Sequence, residues 1–264
     1  MLNFEDLKGI EVNCNTENIP APFSYSYKIQ IELQESDKQL SVTYKLVYTD
    51  RDELEEEDII EEGFSLDDDF EWRGQLTKVW SAELKEIFRK TTWSEKNVPA
   101  KNITSSLIIA LTKKDGSIIN KIPANPESWE YFLQEMIQAI YEDSNKELPL
   151  EVKYKEIDDD KQETLILIQP YFSSRTVDVQ IENSKKEMEK KTIPWGDLKT
   201  ILKSVYFPDY DYQYALEKVP NKAGKYIDNG EGVWYEFGVG VKNPNKNVNS
   251  LEKLERSLKD LVVE

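Results

Sequence analysis

The densest chemistry in this 264-residue sequence is a run of carboxylates. Residues 50–71, DRDELEEEDIIEEGFSLDDDFE, hold 13 acids and one base, Arg51, and so carry −12 of the chain's formal −17. Acids this close together repel one another and resist burial, so they must face solvent, a metal ion or a basic partner. A calcium loop needs the order D-x-[DN]-x-[DN]-G, and here Asp67, Asp68 and Asp69 run into Phe70 without a glycine turn. No metal or other cofactor is therefore expected. The spacing points instead to a docking surface for a basic protein, built from Glu55, Glu56, Glu57 and Asp58, then Glu61 and Glu62, then Asp67, Asp68 and Asp69. Charge concentrated on one element steers encounter with a cationic surface. The plainer reading is a solvated connection between a strand and a helix. Ile59, Ile60, Phe64, Leu66 and Phe70 punctuate the run and offer apolar groups for lying on a surface; Arg73, Lys78, Lys85 and Arg89 are the candidate counterions.

A second concentration is aromatic. SVYFPDYDYQYAL places Tyr206, Phe207, Tyr210, Tyr212 and Tyr214 around Pro208, Asp209 and Asp211, without helical or strand period. Such a segment either buries itself on a sheet or lines an interface, where tyrosine combines rigid area with a polar tip. Trp72 and Trp93 admit the same two readings, and with Tyr210 and Tyr212 they are the candidate apolar contacts of a docking site. Glu151-Val152-Lys153 reads as the E-x-K half of a metal-dependent nuclease signature. Its Asp partner is not evident: Asp143 falls at a helix end and Asp209, after Pro208, comes late in the chain. Gly238-Val239-Gly240 lacks the third glycine and the strand–turn–helix setting of a phosphate loop.

Other chemistry is excluded by composition. Without histidine there is no Ser-His-Asp or Cys-His catalysis and no ordinary zinc hydrolase site. The single cysteine, Cys14, forms no intramolecular disulfide and no thiolate cluster. The opening MLNFEDLKGIEV has neither a basic stretch nor an apolar core of a secretory signal, and no run of 18 apolar residues occurs; the expected compartment is the cytoplasm. A charge of −17, from 51 acids against 34 bases, disfavours direct nucleic-acid binding and anionic membrane surfaces.

These residues must be carried by a sheet and helices. Tyr27, Ile29, Ile31 and Leu33 alternate with polar residues, as do Leu40, Val42, Tyr44, Leu46 and Tyr48, predicting a hairpin over 27–34 and 40–48 with its turn at 35–39. Trp80, Leu84, Ile87 and Phe88 predict a helix over 79–90. ITSSLIIALT and GSIINKI predict a second hairpin turning at Asp115-Gly116. A long helix then begins at Pro126, capped by Asn125, with Trp129, Phe132, Leu133, Met136, Ile137 and Ile140 as its stripe.

The order then recurs. EVKYKEI and TLILIQPY form a hairpin, RTVDVQI at 175–181 an additional strand, and Trp195, Leu198, Ile201, Leu202 and Val205 a helix whose LKTIL echoes the LKEIF of 84–88. GVWYEFGVGVK at 232–242 reads as one strand, and NSLEKLERSLKDLVV as a last helix with an Asn249/Glu252 capping box. A shift of 123 residues sets Ile29 on Val152, Ile31 on Tyr154 and Val42 on Leu165. The expected fold class is therefore α+β: antiparallel sheets with amphipathic helices on one face, from an internal duplication of a β-β-α-β-β-α unit. The halves are 1–145 (29 acids, 15 bases) and 146–264 (22 acids, 19 bases), either as two domains or as parts of one continuous sheet. The expected function is non-enzymatic: an acidic protein that binds and occludes a basic macromolecule, as an inhibitor, antitoxin or immunity protein does. The alternatives are a carboxylate- and tyrosine-based enzyme or ligand module with a site between the halves, and a structural component of an assembly.

Overall fold

Alternating apolar residues do form adjacent strands, but the strands belong to two separate sheets. In a computed structural model, residues 2–16, 19–33, 39–94, 107–245 and 247–262 are described, in two compact units, Met1–Lys146 and Glu147–Glu264. The first contains β1 (Leu7–Asn15), β2 (Tyr25–Glu32), β3 (Gln39–Tyr48), α1 (Glu56–Glu61), β4 (Phe70–Thr77), α2 (Lys78–Lys90), β5 (Ile108–Lys113), β6 (Ile118–Lys121) and α3 (Pro126–Asp143). Its six-stranded antiparallel sheet has the order β4-β3-β2-β1-β5-β6. One row of cross-strand partners runs Leu111–Ile10–Ile31–Val42, and the next runs Ile109–Val12–Ile29–Tyr44. All eight side chains are buried, because the period of two sends them to one face and α2 and α3 cover it. Trp80, Leu84 and Phe88 of α2 meet Trp129, Phe132 and Met136 of α3 in this core, with the Trp80 and Phe132 rings 5.7 Å apart. Most of the predicted 35–39 turn, and the start of the strand read from Ile103, lie outside the described residues.

The second unit contains β7 (Val152–Ile157), β8 (Glu163–Tyr171), β9 (Thr176–Asn183), β10 (Met188–Pro194), α4 (Trp195–Val205), β11 (Asp209–Tyr210), β12 (Gly224–Asp228), β13 (Tyr235–Glu236), β14 (Val241–Lys242) and α5 (Ser250–Lys259). Its main sheet has the order β10-β9-β8-β7-β12-β13, and β11 pairs with β14 apart from it. Val152, Tyr154, Ile166, Ile168, Val177 and Val179 face Leu198, Ile201, Val205, Leu254 and Leu258 of α4 and α5.

The two orders are the same: four strands in a meander, a helix, then two strands added beside the first strand, then a closing helix. In both units the fourth strand runs into its helix without a loop, at Thr77/Lys78 and at Pro194/Trp195. LKEIF and LKTIL thus lie on equivalent helices. The predicted hairpin correspondence is one strand out of step, however: β2 and β3 match β8 and β9 by position, whereas the 123-residue shift set them on β7 and β8. The shift failed because β1 escaped notice in a stretch broken by Gly9 and polar residues. β4 and β10 escaped for another reason. Both are charged edge strands, which blunts edge-to-edge association; in β10 (MEKKT) the charge erases the apolar alternation, whereas β4 keeps one, with Phe70, Trp72 and Leu76 against exposed Glu71, Arg73 and Gln75, interrupted at Gly74.

Three local expectations are also corrected. The 232–242 strand is broken, because Gly238 takes a left-handed φ of 80° and turns the chain between β13 and β14. Asn125 precedes α3 without capping it, and its buried Oδ1 has no hydrogen-bond partner. Asn249 reaches the Glu252 side chain but caps no backbone N–H; Asn243 Oδ1 accepts from Leu251 N–H instead, at 2.9 Å. The Asp115-Gly116 turn forms as read, with Gly116 at φ 87°. Leu84 and Leu198 hold equivalent helices on their own sheets, so replacing either by Ala is expected to cost about 2–5 kcal/mol of unfolding free energy. Leu148→Ala, at an exposed position, should stay within about 0.5 kcal/mol. Chemical denaturation of the three variants checks this.

Candidate functional site

The acidic run is tied down chiefly by its one base. Asp50 adopts a left-handed φ of 61°, a conformation that Asp tolerates, and the turn sends the Arg51 side chain back under the segment. Arg51 Nε donates to Pro22 O at 3.0 Å, and Nη1 donates to Ser65 O and to Asp68 Oδ2, both at 2.8 Å. The guanidinium carbon lies over the Tyr48 ring, 3.7 Å from its centre, and over the Phe64 ring, 4.6 Å from its centre. Phe64 in turn meets Phe23 and Tyr48 edge-on. Planar charge, carbonyl acceptors and aromatic faces are the environment that suits Arg and not Lys.

Two carboxylates of the run are consumed here. Asp68 accepts from Arg51, from Ser65 N–H at 2.9 Å and from the Ser65 hydroxyl at 2.8 Å. Partial burial penalises its charge, yet these hydrogen bonds outweigh that and hold the carboxyl below its ordinary range. Asp69 Oδ1 accepts from Tyr48 N–H at 2.8 Å, tying the end of the run to β3. Between these ties sits α1, one and a half turns long. Its first turn holds Glu56, Glu57 and Asp58, which the helix dipole favours, and Gly63, at φ 83°, ends it. Phe64 N–H returns to Ile59 O and Gly63 N–H to Ile60 O, the paired bonds of a glycine C-cap, while buried Ile59 anchors the turn.

The remaining acids are displayed. Glu55, Glu56, Glu57 and Asp58 are exposed, as are Glu61, Glu62 and Asp67, and among the described residues none of them has a cationic partner. Three of the four candidate counterions go elsewhere: Arg73 lies 4.0 Å from Glu32, Lys85 3.9 Å from Glu5, and Arg89 2.7 Å from Glu86. Two aliphatic side chains stand out among the acids, Ile60 at 55% exposure and Leu66 at 60%.

The aromatic candidates separate. Trp72, on the core face of β4, is half-buried and lies across Gly74, where a Cβ would meet its ring at 2.3 Å. Trp93 is half-buried between Phe88 and Trp129. Tyr210 spends its hydroxyl on Val205 O at 2.7 Å and its ring on Tyr235; burial pushes its phenol well above the ordinary value. These three serve packing. Tyr212, at 73% exposure, stays on the surface of the second unit.

The E-x-K pair acquires an aspartate that sequence reasoning missed. Asp228, on β12, is the cross-strand partner of Lys153 on β7, and it was hidden because β12 was not recognised. Lys153 Nζ lies 2.9 Å from Glu151 and 3.7 Å from Asp228. The hydrogen bond to Glu151, against the cost of burial and with help from both negative charges, raises the lysine above its ordinary value, so it stays an ammonium. Asp228 Oδ1 is occupied by the N–H groups of Gly230 and Gly232, each at 3.0 Å. One lysine is shared between two acids here, and among the described residues no three acids or thiols converge as metal ligands.

No protein-family model, curated protein or solved structure matches this chain. Among the described residues no helix is long and apolar enough to cross a membrane.

Arg51→Met should release the segment locally. The Arg51 side chain is 90% buried against Asp68, so the loss is expected to be on the order of 3 kcal/mol, or about a hundred-fold in the hydrogen exchange of the Gly63 and Phe64 amides. Because the folded Asp68 lies below its unfolded value, its contribution is fully present above a pH of about 4 and is lost as pH falls through the lowered folded value. Exchange protection of the same two amides, followed from pH 7 into acid, reads both effects.

Proposed function

We propose that this protein is a stoichiometric binder of a basic macromolecule, which it engages and occludes through the acidic surface over 52–67. The observation that carries the reading is the Arg51 tie. It holds the run in an ordered shape while Glu55 to Asp58, Glu61, Glu62 and Asp67 remain displayed without internal counterions. A flexible acidic connection needs no such tie. An ordered anionic surface attracts a cationic partner from a distance and pays little ordering entropy on contact. Ile60 and Leu66 supply apolar groups to be desolvated at the centre of the acid cluster. Inhibitor, antitoxin and immunity proteins are the biological roles that use occlusion of this kind. Trp72, Trp93 and Tyr210 are left out of the contact surface because they already pack internally. The shared strand order and the paired LKEIF and LKTIL helices support reading the two units as an internal duplication of one β-β-β-β-α-β-β-α unit, with the displayed acids an addition of the first.

The test is charge reversal of Glu55, Glu56, Glu57 and Asp58 to Lys. The fold should be unchanged or slightly firmer in a thermal melt, since exposed charges contribute only about 0–1 kcal/mol each. Association with a basic partner captured from cell extract should slow by at least ten-fold and lose most of its salt dependence. The control reverses Asp158, Asp159 and Asp160, on an exposed turn of the second unit, and should leave association intact. Equal effects of the two reversals, or no effect of the first, would discard the reading.

A further inference from the structure

The outer face of the second sheet, away from its helices, carries a cleft that no motif in the sequence announces. Lys155 pairs across strands with Leu165, Leu165 with Glu182, and Asp228 with Lys153. Their neighbours Tyr154, Ile166 and Ile181 belong to the core, so alternation turns these side chains to the other side. The chain between α4 and β13 comes over that side: Leu216 and Trp234 exchange backbone hydrogen bonds of 2.8 and 2.9 Å. Glu217, Val219 and Trp234 thereby wall a cavity of about 530 Å³ above the sheet. This volume suits a small molecule or one long side chain.

The charges of the lining select the occupant. Four carboxylates and two ammonium groups line it, and both ammonium groups already have partners. Lys155 Nζ lies 2.9 Å from Glu163, and Lys153 Nζ 2.9 Å from Glu151. Asp228 is held by Lys153 and by two glycine N–H groups. Glu182 and Glu217 remain without a cationic partner among the described residues. An entering anion would have to break a lysine pair against a net negative lining, whereas a cation meets two uncommitted acids. The apolar part of the wall is Leu165, Val219 and Trp234, the last only 5% exposed. It offers an aliphatic stem something to lie on.

We propose that this cleft binds a primary amine or guanidinium carried on an aliphatic stem, its head taken by Glu182 and Glu217 and its stem by Leu165, Val219 and Trp234. The same chemistry is presented by a free linear amine and by a Lys or Arg side chain of a polypeptide. The site belongs to the second unit and does not depend on the acidic surface of the first.

The experiment titrates the isotope-labelled full chain at low salt with agmatine, and separately with the blocked peptide acetyl-Gly-Arg-Gly-amide, following the Trp234 indole N–H and the Leu165 and Glu182 amides. Saturable shifts at these positions are expected with at least one probe; the tighter of the two identifies a free amine or a peptide side chain as the source. In Glu182→Gln/Glu217→Gln the dissociation constant should rise at least ten-fold with the thermal melt unchanged, since neither acid holds a structural ion pair. The variant with Glu55 to Asp58 reversed should bind the probes as the parent does, which separates this site from the docking surface. No shift with either probe, undiminished binding by the double variant, or saturation of the same signals by succinate instead would overturn the proposal.

Discussion

Arg51 is the constraint on which the most charged part of the molecule depends. A stretch with 13 acids has no reason to condense by itself, since each added carboxylate raises the repulsion on the others. One buried guanidinium changes this by offering donors in several directions at once. It reaches back to Pro22, across to Ser65 and Asp68, and lies on Tyr48, so loop ends distant in sequence converge on one planar group. The neighbouring Asp69 bond to β3 and the buried Ile59 then leave α1 little freedom. The consequence is a division of labour among chemically identical side chains: Asp68 and Asp69 hold the segment, and the other acids are shown to solvent.

The two units make contrasting use of one architecture. Each has the strand order 4-3-2-1-5-6 in its own numbering and two helices on one face. In the first unit the opposite face is a plain polar surface, where Lys28 and Gln30 both bond Glu11, and the elaboration lies in the connection from third to fourth strand. In the second unit that connection is a short turn, and the elaboration lies between the first helix and the fifth strand, where it covers the outer face and forms a cleft. Insertions at chain connections leave the buried rows undisturbed, which is why a sheet of this kind tolerates both. In both units, function is proposed where the chain departs from the common plan.

Much of the framework was legible before any coordinates. Period-two apolar residues marked β2, β3, β7, β8 and β9, and three- and four-residue spacing marked α2 to α5, because burial on one face demands those periods. What escaped were elements whose apolar pattern is short, interrupted or masked by charge. β4 and β10 are charged edges, β1 contains Gly9, and β12 is a five-residue strand in a region otherwise read as loop. The loss of β12 mattered most, since Asp228 could not then be placed beside Lys153 or the cleft suspected. The aromatic candidates stayed open between two readings for a related reason: Trp72, Trp93 and Tyr210 look alike in sequence whether a ring is shown or packed, and only their neighbours decide.

By itself, then, the sequence determined the α+β class, the amphipathic helices, the absence of histidine chemistry and the concentration of negative charge in the first half, because composition and period act locally. Only the tertiary structure decided which acids are structural and which displayed, that Arg51 and not Arg73, Lys78, Lys85 or Arg89 is the counterion, and that Glu182 and Glu217 share a cleft. Those outcomes rest on residues far apart in the chain being brought together, as Arg51 is with Pro22, or as Glu182 and Glu217 are in lining one cleft. A carboxylate's role is set by its distance to the nearest cation or N–H donor, and that distance exists only once the chain has folded.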